Sequence, residues 1–477
     1  MWKNILKKLD DYINPIVVKE LRQTVNSKIV PVAMVALLTM QLGAMVIFIT
    51  EANVSSAGYG SKFFGWIMGI LAVICLFGIC ATSAQRFAKE RKRDGLDIIH
   101  STIMSPYQIA QGKLFSSIVM AMFLFSLCLP FLGVSYFMRG IDIPSIVWGI
   151  AIAFVALIPL FQFAILVGSL TNERFASGIV AFSMIVGIPM LIGTLANSSH
   201  IMLGFAMTWL VFLWCSYVAL LLTGFGFFAT IAIIMTRTAN RALPLRLYLI
   251  GVWLILAITS LALYGYFKDV GIFSLWYVAS IIIFSITAIA SISERDQQSR
   301  RVLKQTPKHR LLRPLFFLIS SGRSNGLLFS ALFLLMTIGG GFMLKSTITY
   351  DNFIPDETFM FFNTIAAFTM LYSLLSHFFG LIVKRFVPTL SAFVGLLFFI
   401  IIFNLGPVLI NILIHFKLPS TRGDNMLFFI FSPIIFDSRQ YRSLGLTVNA
   451  ICAGALLLWL LYSVINNKKT ALVEIDN

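Results

Sequence analysis

The side chains able to do chemistry are few in this sequence, and their spacing is poor for it. Asp351, Asp356 and Glu357 share one short polar stretch, and His100 stands alone in another. An integral membrane enzyme of lipid or glycan metabolism would be expected to show paired carboxylates or a His/Asp cluster, because acid and base groups must flank one reacting centre. A solvated loop accounts for these residues as they stand. Cys75, Cys80, Cys128, Cys215 and Cys452 all lie inside apolar runs, with no CxxC pair and no histidine at ligand spacing, so neither a disulfide framework nor a metal site follows. A nucleotide site needs G-x4-GK[ST]. The nearest approach is GGGFMLKST at 339–347, where Leu344 precedes Lys345 in place of glycine. Chance explains it, and Gly339 to Gly341 suit close helix packing or a break at the membrane surface instead. The expectation is a chain with no catalytic residue, no metal and no cofactor.

Charge is the chemistry that the sequence does organise. The 477 residues carry a formal net charge of +17, yet only 12% are charged, 59% are hydrophobic and the mean hydropathy is +0.92. No soluble domain can hide that much apolar surface. The basic residues sit in short segments between apolar runs, which points to membrane lipids rather than nucleic acid as their partner. About 20 residues at 1.5 Å rise cross a hydrocarbon core of roughly 30 Å. Runs of that kind lie near 29–50, 63–84, 114–137, 146–170, 176–196, 203–236, 247–267, 272–292, 326–345, 358–381, 387–414 and 445–466. The first follows a polar segment too long for a signal peptide's n-region and is expected to remain as a membrane helix.

The expected fold is therefore an all-α polytopic membrane protein of about 12 transmembrane helices, with both termini cytoplasmic. That orientation puts 28 of the 36 Lys and Arg residues inside, as the positive-inside rule requires. Two stretches strain the count: 203–236 is roughly 50 Å long as one helix, and MLFFIFSPIIFD at 426–437 is too short to cross. Both precede the last span of a six-helix half and are read as short re-entrant or interfacial helices on the outer face. The organisation is then an amphipathic segment at 1–28, a first six-helix half at 29–236 with a cytoplasmic loop at 85–113, a second half at 237–466 with a basic loop at 293–325, and a tail at 467–477. Gln41, Gln162, Asn363, His377, Asn404 and Asn411 are the polar exceptions within the spans, expected to hydrogen-bond or pack between helices. Spans with essentially no ionised groups argue against ion-coupled transport.

Three segments between the spans carry local structure. Asn14 is a helix N-cap with Pro15 at the first helical position. Val17, Val18, Leu21 and Val25 then share one face, while Lys19, Arg22, Gln23 and Asn26 share another, as in a basic amphipathic helix lying in the headgroup layer. In residues 86–114, Gly95 ends a charged extension of the second span, and Leu96, Ile99 and Ile103 recur at helical spacing. Ser105, Pro106 and Gln108 form a capping box that opens a new helix. Glu90, Arg91, Asp94 and Asp97 are expected to be exposed beneath the membrane as a docking surface.

The elements NP-x3-KELR from Asn14 to Arg22, ER-x3-GLD from Glu90 to Asp97, and SP-x5-GK from Ser105 to Lys113 resemble ABC-2-type transporter permeases over roughly residues 10–135. The resemblance implies the membrane subunit of an exporter in the cytoplasmic (inner) membrane, powered by a separate P-loop ATPase, two copies per transporter, with a homodimer as one possible assembly. It implies an elbow helix carrying Asn14, Pro15, Lys19, Glu20 and Arg22, and a coupling element whose ATPase-contacting positions are Glu90, Arg91, Gly95, Asp97, Pro106, Gly112 and Lys113. A fainter copy appears at 293–315, where Glu294-Arg295 is followed by Thr306-Pro307 but the Gly-Leu-Asp element is missing. That loop couples to an ATPase or binds anionic headgroups. A membrane enzyme and a non-transporting scaffold subunit stand as the rival classes, and the substrate is not legible.

Overall fold

The computed structural model describes residues 14–27, 29–51, 59–92, 105–138, 140–170, 209–236, 239–267, 270–294, 312–347, 356–383, 395–403 and 442–476. Among them every long element is a helix, and no strand occurs. The chain divides into two compact units, Met1–Thr236 and Arg237–Asn477.

Unit 1 contains α1 (Pro15–Val25), α2 (Ile29–Glu51), α3 (Tyr59–Ile74), a π segment (Cys75–Cys80), α4 (Ala81–Lys92), α5 (Pro106–Phe137), α6 (Ile143–Leu170) and α7 (Trp209–Ile234). Unit 2 contains α8 (Leu243–Phe267), α9 (Phe273–Ser291), the short α10 (Leu312–Ile319), α11 (Arg323–Thr347), α12 (Asp356–Val383), α13 (395–403) and α14 (Arg442–Asp476).

Nine helices of the described residues are long and apolar enough to cross a membrane: α2, the α3–π–α4 rod, α5 to α9, α11 and α12. Their surfaces fit that solvent. Val32, Val35, Val46 and Ile47 of α2 are all more than half exposed, an arrangement that water would penalise at about 25 cal/mol per Å² and lipid would not. The run 176–196, most of 387–414, and 426–437 lie outside the described residues. So do 203–208; from Trp209 onward α7 is one unbroken helix of 26 residues, long enough for a single tilted crossing. In α14 the apolar part is the shorter Leu446–Tyr462, and the helix continues through residues expected to form a tail.

The polar exceptions inside the spans join helices. Gln41 of α2 donates to Cys128 Sγ of α5, Gln162 of α6 to Thr230 Oγ1 of α7 at 3.1 Å, and Tyr277 of α9 to Asn363 Oδ1 of α12 at 2.8 Å. His377 is buried in unit 2, while Asn404 and Asn411 lie outside the described residues. The core of unit 1 is apolar and includes Leu37, Phe63, Ile67, Leu71, Leu124 and Phe161. Close approach also needs small residues. A Cβ on Gly168 of α6 would lie 2.5 Å from the carbonyl oxygen of Ala84 on α4, so only glycine lets these helices meet there.

Gly168→Val is therefore expected to cost about 1–3 kcal/mol through forced separation of α4 and α6. Gly133→Val, where a Cβ meets nothing within 4 Å, is expected to stay within about 0.5 kcal/mol of the wild type. Thermal melts of the two detergent-solubilised variants check the contrast.

Candidate functional site

The described parts of the segments singled out in the sequence, residues 14–27, 86–90 and 105–114, meet at one end of unit 1. Local signals set their geometry. Asn14 caps α1, its Oδ1 accepting from the Ile16 N–H at 3.0 Å, with Pro15 at the first helical position. Ser105 caps α5 through a complete capping box: its hydroxyl accepts from the Gln108 N–H, and Gln108 Oε1 accepts from the Ser105 N–H. Asn14 then uses its amide Nδ2 to donate to the Gln108 carbonyl at 2.7 Å, so the two helix starts are stitched together.

Packing brings α1 down on α5. A Cβ on Gly112 would lie 2.8 Å from Ile16 Cβ, which makes Gly112 the seat of α1. Ile16 joins Phe87, Ile109, Ile165 and Ile234 in one small core, so α1, α4, α5, α6 and α7 all contribute to it. Val18 and Val25 are exposed, as are Lys19, Arg22, Gln23 and Asn26. Between these two faces α1 presents a third, formed by Ile16, Glu20 and Thr24 at a spacing of four, and this face lies against the bundle.

An ionic cluster holds that face. Lys113 of α5 is 5% exposed, and its Nζ donates to Glu20 Oε1 of α1 at 2.5 Å and to Glu90 Oε2 of α4 at 2.8 Å. The ammonium also lies 4.7 Å from the centre of the Phe87 ring, a favourable cation–π placement. Glu90 Oε1 accepts from Lys19 at 2.9 Å. Glu20 is 6% exposed; a carboxylate that buried requires a partner, because desolvating an unpaired charge costs several kcal/mol. Arg86, one helical turn before Glu90, donates to Thr24 Oγ1 at 2.5 Å.

Of the twelve carry-over positions, Asn14, Pro15, Lys19, Glu20, Glu90, Pro106, Gly112 and Lys113 belong to this one assembly. Glu90 is only partly exposed, its side chain at 21%, and both carboxylate oxygens are bound to lysines rather than left open to a docking partner. Arg22 is exposed. Arg91 lies on α4 with its side chain outside the described residues, and Gly95 and Asp97 lie outside them altogether. Arg86, Phe87 and Thr24 were not anticipated. A signal existed: Ala81, Ala84, Phe87 and Ala88 are buried at helical spacing, continuing a packed face into a segment whose charges suggested solvent.

Unit 2 has a counterpart built on Glu294, the faint echo of Glu90. Arg246 at the start of α8 is 4% exposed. Its NH2 donates to both carboxylate oxygens of Glu294 at 2.7 and 2.6 Å, and its NH1 donates to the carbonyls of Leu318, at 3.0 Å, and Ser320. The Gly322 N–H donates to Glu294 Oε2 at 2.9 Å from a backbone φ of 148°, which only glycine adopts readily. The order differs from unit 1, since the buried cation paired with Glu90, Lys113, follows it and the one paired with Glu294, Arg246, precedes it. Thr306-Pro307 lies outside the described residues.

Among the described residues no three His, Cys, Asp or Glu side chains gather closely enough to hold a metal ion. What the unit 1 cluster can do is mechanical: it couples the positions of α1, α4 and α5. No family model, curated protein or solved structure matches the chain.

Lys113→Met leaves Glu20 buried without its cation, and an expected cost of about 3–5 kcal/mol follows. Lys19, whose side chain is 47% exposed, is expected to contribute less than about 1 kcal/mol when changed to Ala. The double variant Lys113→Met with Glu20→Met recovers most of the Lys113→Met loss. A double-mutant cycle on thermal unfolding measures this coupling, and equal losses for Lys113→Met and Lys19→Ala would contradict it.

Proposed function

We propose that the chain is the membrane-spanning permease subunit of an ABC-2-type exporter in the cytoplasmic membrane. On this reading it crosses 12 times in two six-helix halves with both termini inside, and ATP is hydrolysed by a separate P-loop ATPase, two copies of which dock beneath residues 86–114. The observation that carries the reading is that Asn14 to Arg22, Glu90 and Ser105 to Lys113, the described parts of the three resembling segments, lie together. Glu20 and Lys113 are 93 positions apart in sequence, yet each lies in a different motif of the resemblance and they bond directly. An elbow helix tied to both flanks of the loop between α4 and α5 is the linkage such a transporter requires. A push on residues 93–104 reaches α1 through Glu90 and Lys113, and with α1 the start of α2.

The mechanism follows from that linkage. Closure of the ATPase dimer displaces the inner ends of α4 and α5 together, and rocking of the two halves moves substrate outward. Spans whose ionised residues lie only toward their ends fit a transporter whose energy arrives from outside the chain. Nothing on the site favours the enzyme or scaffold readings.

Expressed with its genomic neighbours, the tagged chain is expected to co-purify a Walker-motif ATPase. Asp97→Lys, outside the ionic cluster, is expected to reduce that recovery on the order of tenfold, as reversal of a charge at a docking surface does, without lowering the thermal midpoint. Absence of any ATPase from the purified material, or recovery unchanged in Asp97→Lys and Arg91→Glu alike, would sink the proposal.

A further inference from the structure

A cavity of about 30 Å³ lies beneath α1, where α1, α2, α4 and α5 meet. Its polar lining comes from Glu20 and Thr24 on α1, Ser83 and Arg86 on α4, and Ser116 and Ser117 on α5. Further along α5 the lining turns apolar at Met120 and Leu124, and further back along the rod it turns apolar at Ile79 and Gly78. The cavity is thus graded: charged where the ionic cluster sits and apolar toward the interior of the spans.

Its charge does not balance. Of charged groups its lining carries Glu20 and Arg86, and with Lys19, Glu90 and Lys113 of the adjoining ionic cluster the tally is three cations against two anions. The two lysines satisfy the two carboxylates between them, which leaves the surplus positive charge on Arg86. That guanidinium is half-buried, gives one N–H to Thr24, and has no other partner among the described residues. An arginine presents five donors in a planar fork suited to phosphate and carboxylate oxygens, and a half-buried charge of this kind calls for a counter-ion.

The hydroxyls add to this. Ser116 and Ser117 both donate to one acceptor, the Lys113 carbonyl, at 2.8 and 3.1 Å. One of them can rotate toward an anion while the other still satisfies that carbonyl. Ser83 and Thr82 bond to the carbonyls of Ile79 and Gly78 at the end of the π segment, where the i→i−5 pattern has shifted the backbone pairing.

We propose that this cavity binds a phosphate group, with Arg86 as its charged ligand and Ser116 or Ser117 as hydroxyl donor. At roughly 10–15 Å³ for each water-sized position, its size takes two or three oxygens, those of a phosphate that would face Arg86 and the serines, and excludes a sugar or a base. A lipid phosphodiester is the source that the placement beneath the amphipathic α1, at the ends of the spans, favours, its glycerol and acyl portions staying outside the cavity; free phosphate is the alternative source of the same chemistry. Bound there, the phosphate neutralises the cluster and braces α1 against α4 and α5. This goes beyond the transporter reading and does not depend on an ATPase.

The test uses the purified full-length chain in detergent, without any ATPase, so that its outcome is separate from that of the partner reading. Thermal stabilisation is titrated with phosphatidylglycerol and, in a second arm, with inorganic phosphate. The variants are Arg86→Gln, Arg86→Lys, the pair Ser116→Ala with Ser117→Ala, and Lys62→Gln as a control at an exposed position outside the cavity. The expected result is saturable stabilisation of the wild type and of Lys62→Gln by the lipid. Its apparent affinity falls on the order of tenfold in Arg86→Gln, as loss of a charge-assisted contact does, and severalfold in Arg86→Lys. Stabilisation by inorganic phosphate with the same Arg86 dependence supports the site with a soluble ligand. If Arg86→Gln fails to fold, Arg86→Lys and the double serine variant decide. Wild-type affinity in both of those, or no saturable stabilisation of the wild type by either additive, overturns the proposal.

Discussion

A single ammonium group shared by two carboxylates sets the geometry of unit 1. Lys113 bonds Glu20 of α1 and Glu90 of α4 at once, and its own burial makes both bonds obligatory. Pairing of this kind contributes little net stability over a well-packed apolar alternative, because desolvation offsets the attraction. Its effect is positional: any arrangement that parts Lys113 from Glu20 leaves a buried charge unpaired, so competing placements of α1 are penalised far more than the native one is stabilised.

Apolar helices in lipid need such a constraint. In water, burial of hydrophobic surface selects one packing over others, but lipid tails solvate Leu and Ile as well as a neighbouring helix does. Shape and polar contacts then carry the specificity. Gly112 beneath Ile16 and Gly168 against Ala84 give shape. Gln41 with Cys128, Gln162 with Thr230 and Tyr277 with Asn363 give polar cross-links within the spans. In unit 2, Arg246 and Glu294 repeat the use of a buried ion pair at helix ends, with the carbonyls of Leu318 and Ser320 as further acceptors. Each pair ties together segments that are far apart in sequence.

The residues that carry the family resemblance divide by what they touch. Asn14, Glu20, Glu90, Gly112 and Lys113 face one another, so their identities are explained by the internal fit of α1 on α4 and α5. A partner subunit would meet the residues between α4 and α5, including Asp97, rather than the buried lysine. The two roles are physically joined, since Glu90 ends one flank of that segment and Lys113 begins the other. On the proposed transporter reading, force applied between them would reach α1 without any side chain of the cluster touching the partner.

The sequence alone determined the helical, membrane-suited character of the chain, because hydropathy over 20 residues is a local and additive property. It also determined the starts of α1 and α5: the Asn14-Pro15 cap and the Ser105, Pro106 and Gln108 box involve residues within three positions of each other. What it left undecided were the partners. Glu20 and Arg86 sit in charged stretches that read as facing water or headgroups, and Glu90 read as an exposed docking residue. Only tertiary structure placed Glu20 against Lys113, gave both oxygens of Glu90 to lysines and set Arg86 over a cavity. The physical reason is that a long-range ion pair has no local signature: whether a charge is solvated or buried depends on which helix lies across from it, and that is decided by close approach at glycines such as Gly112, on which Ile16 of α1 sits.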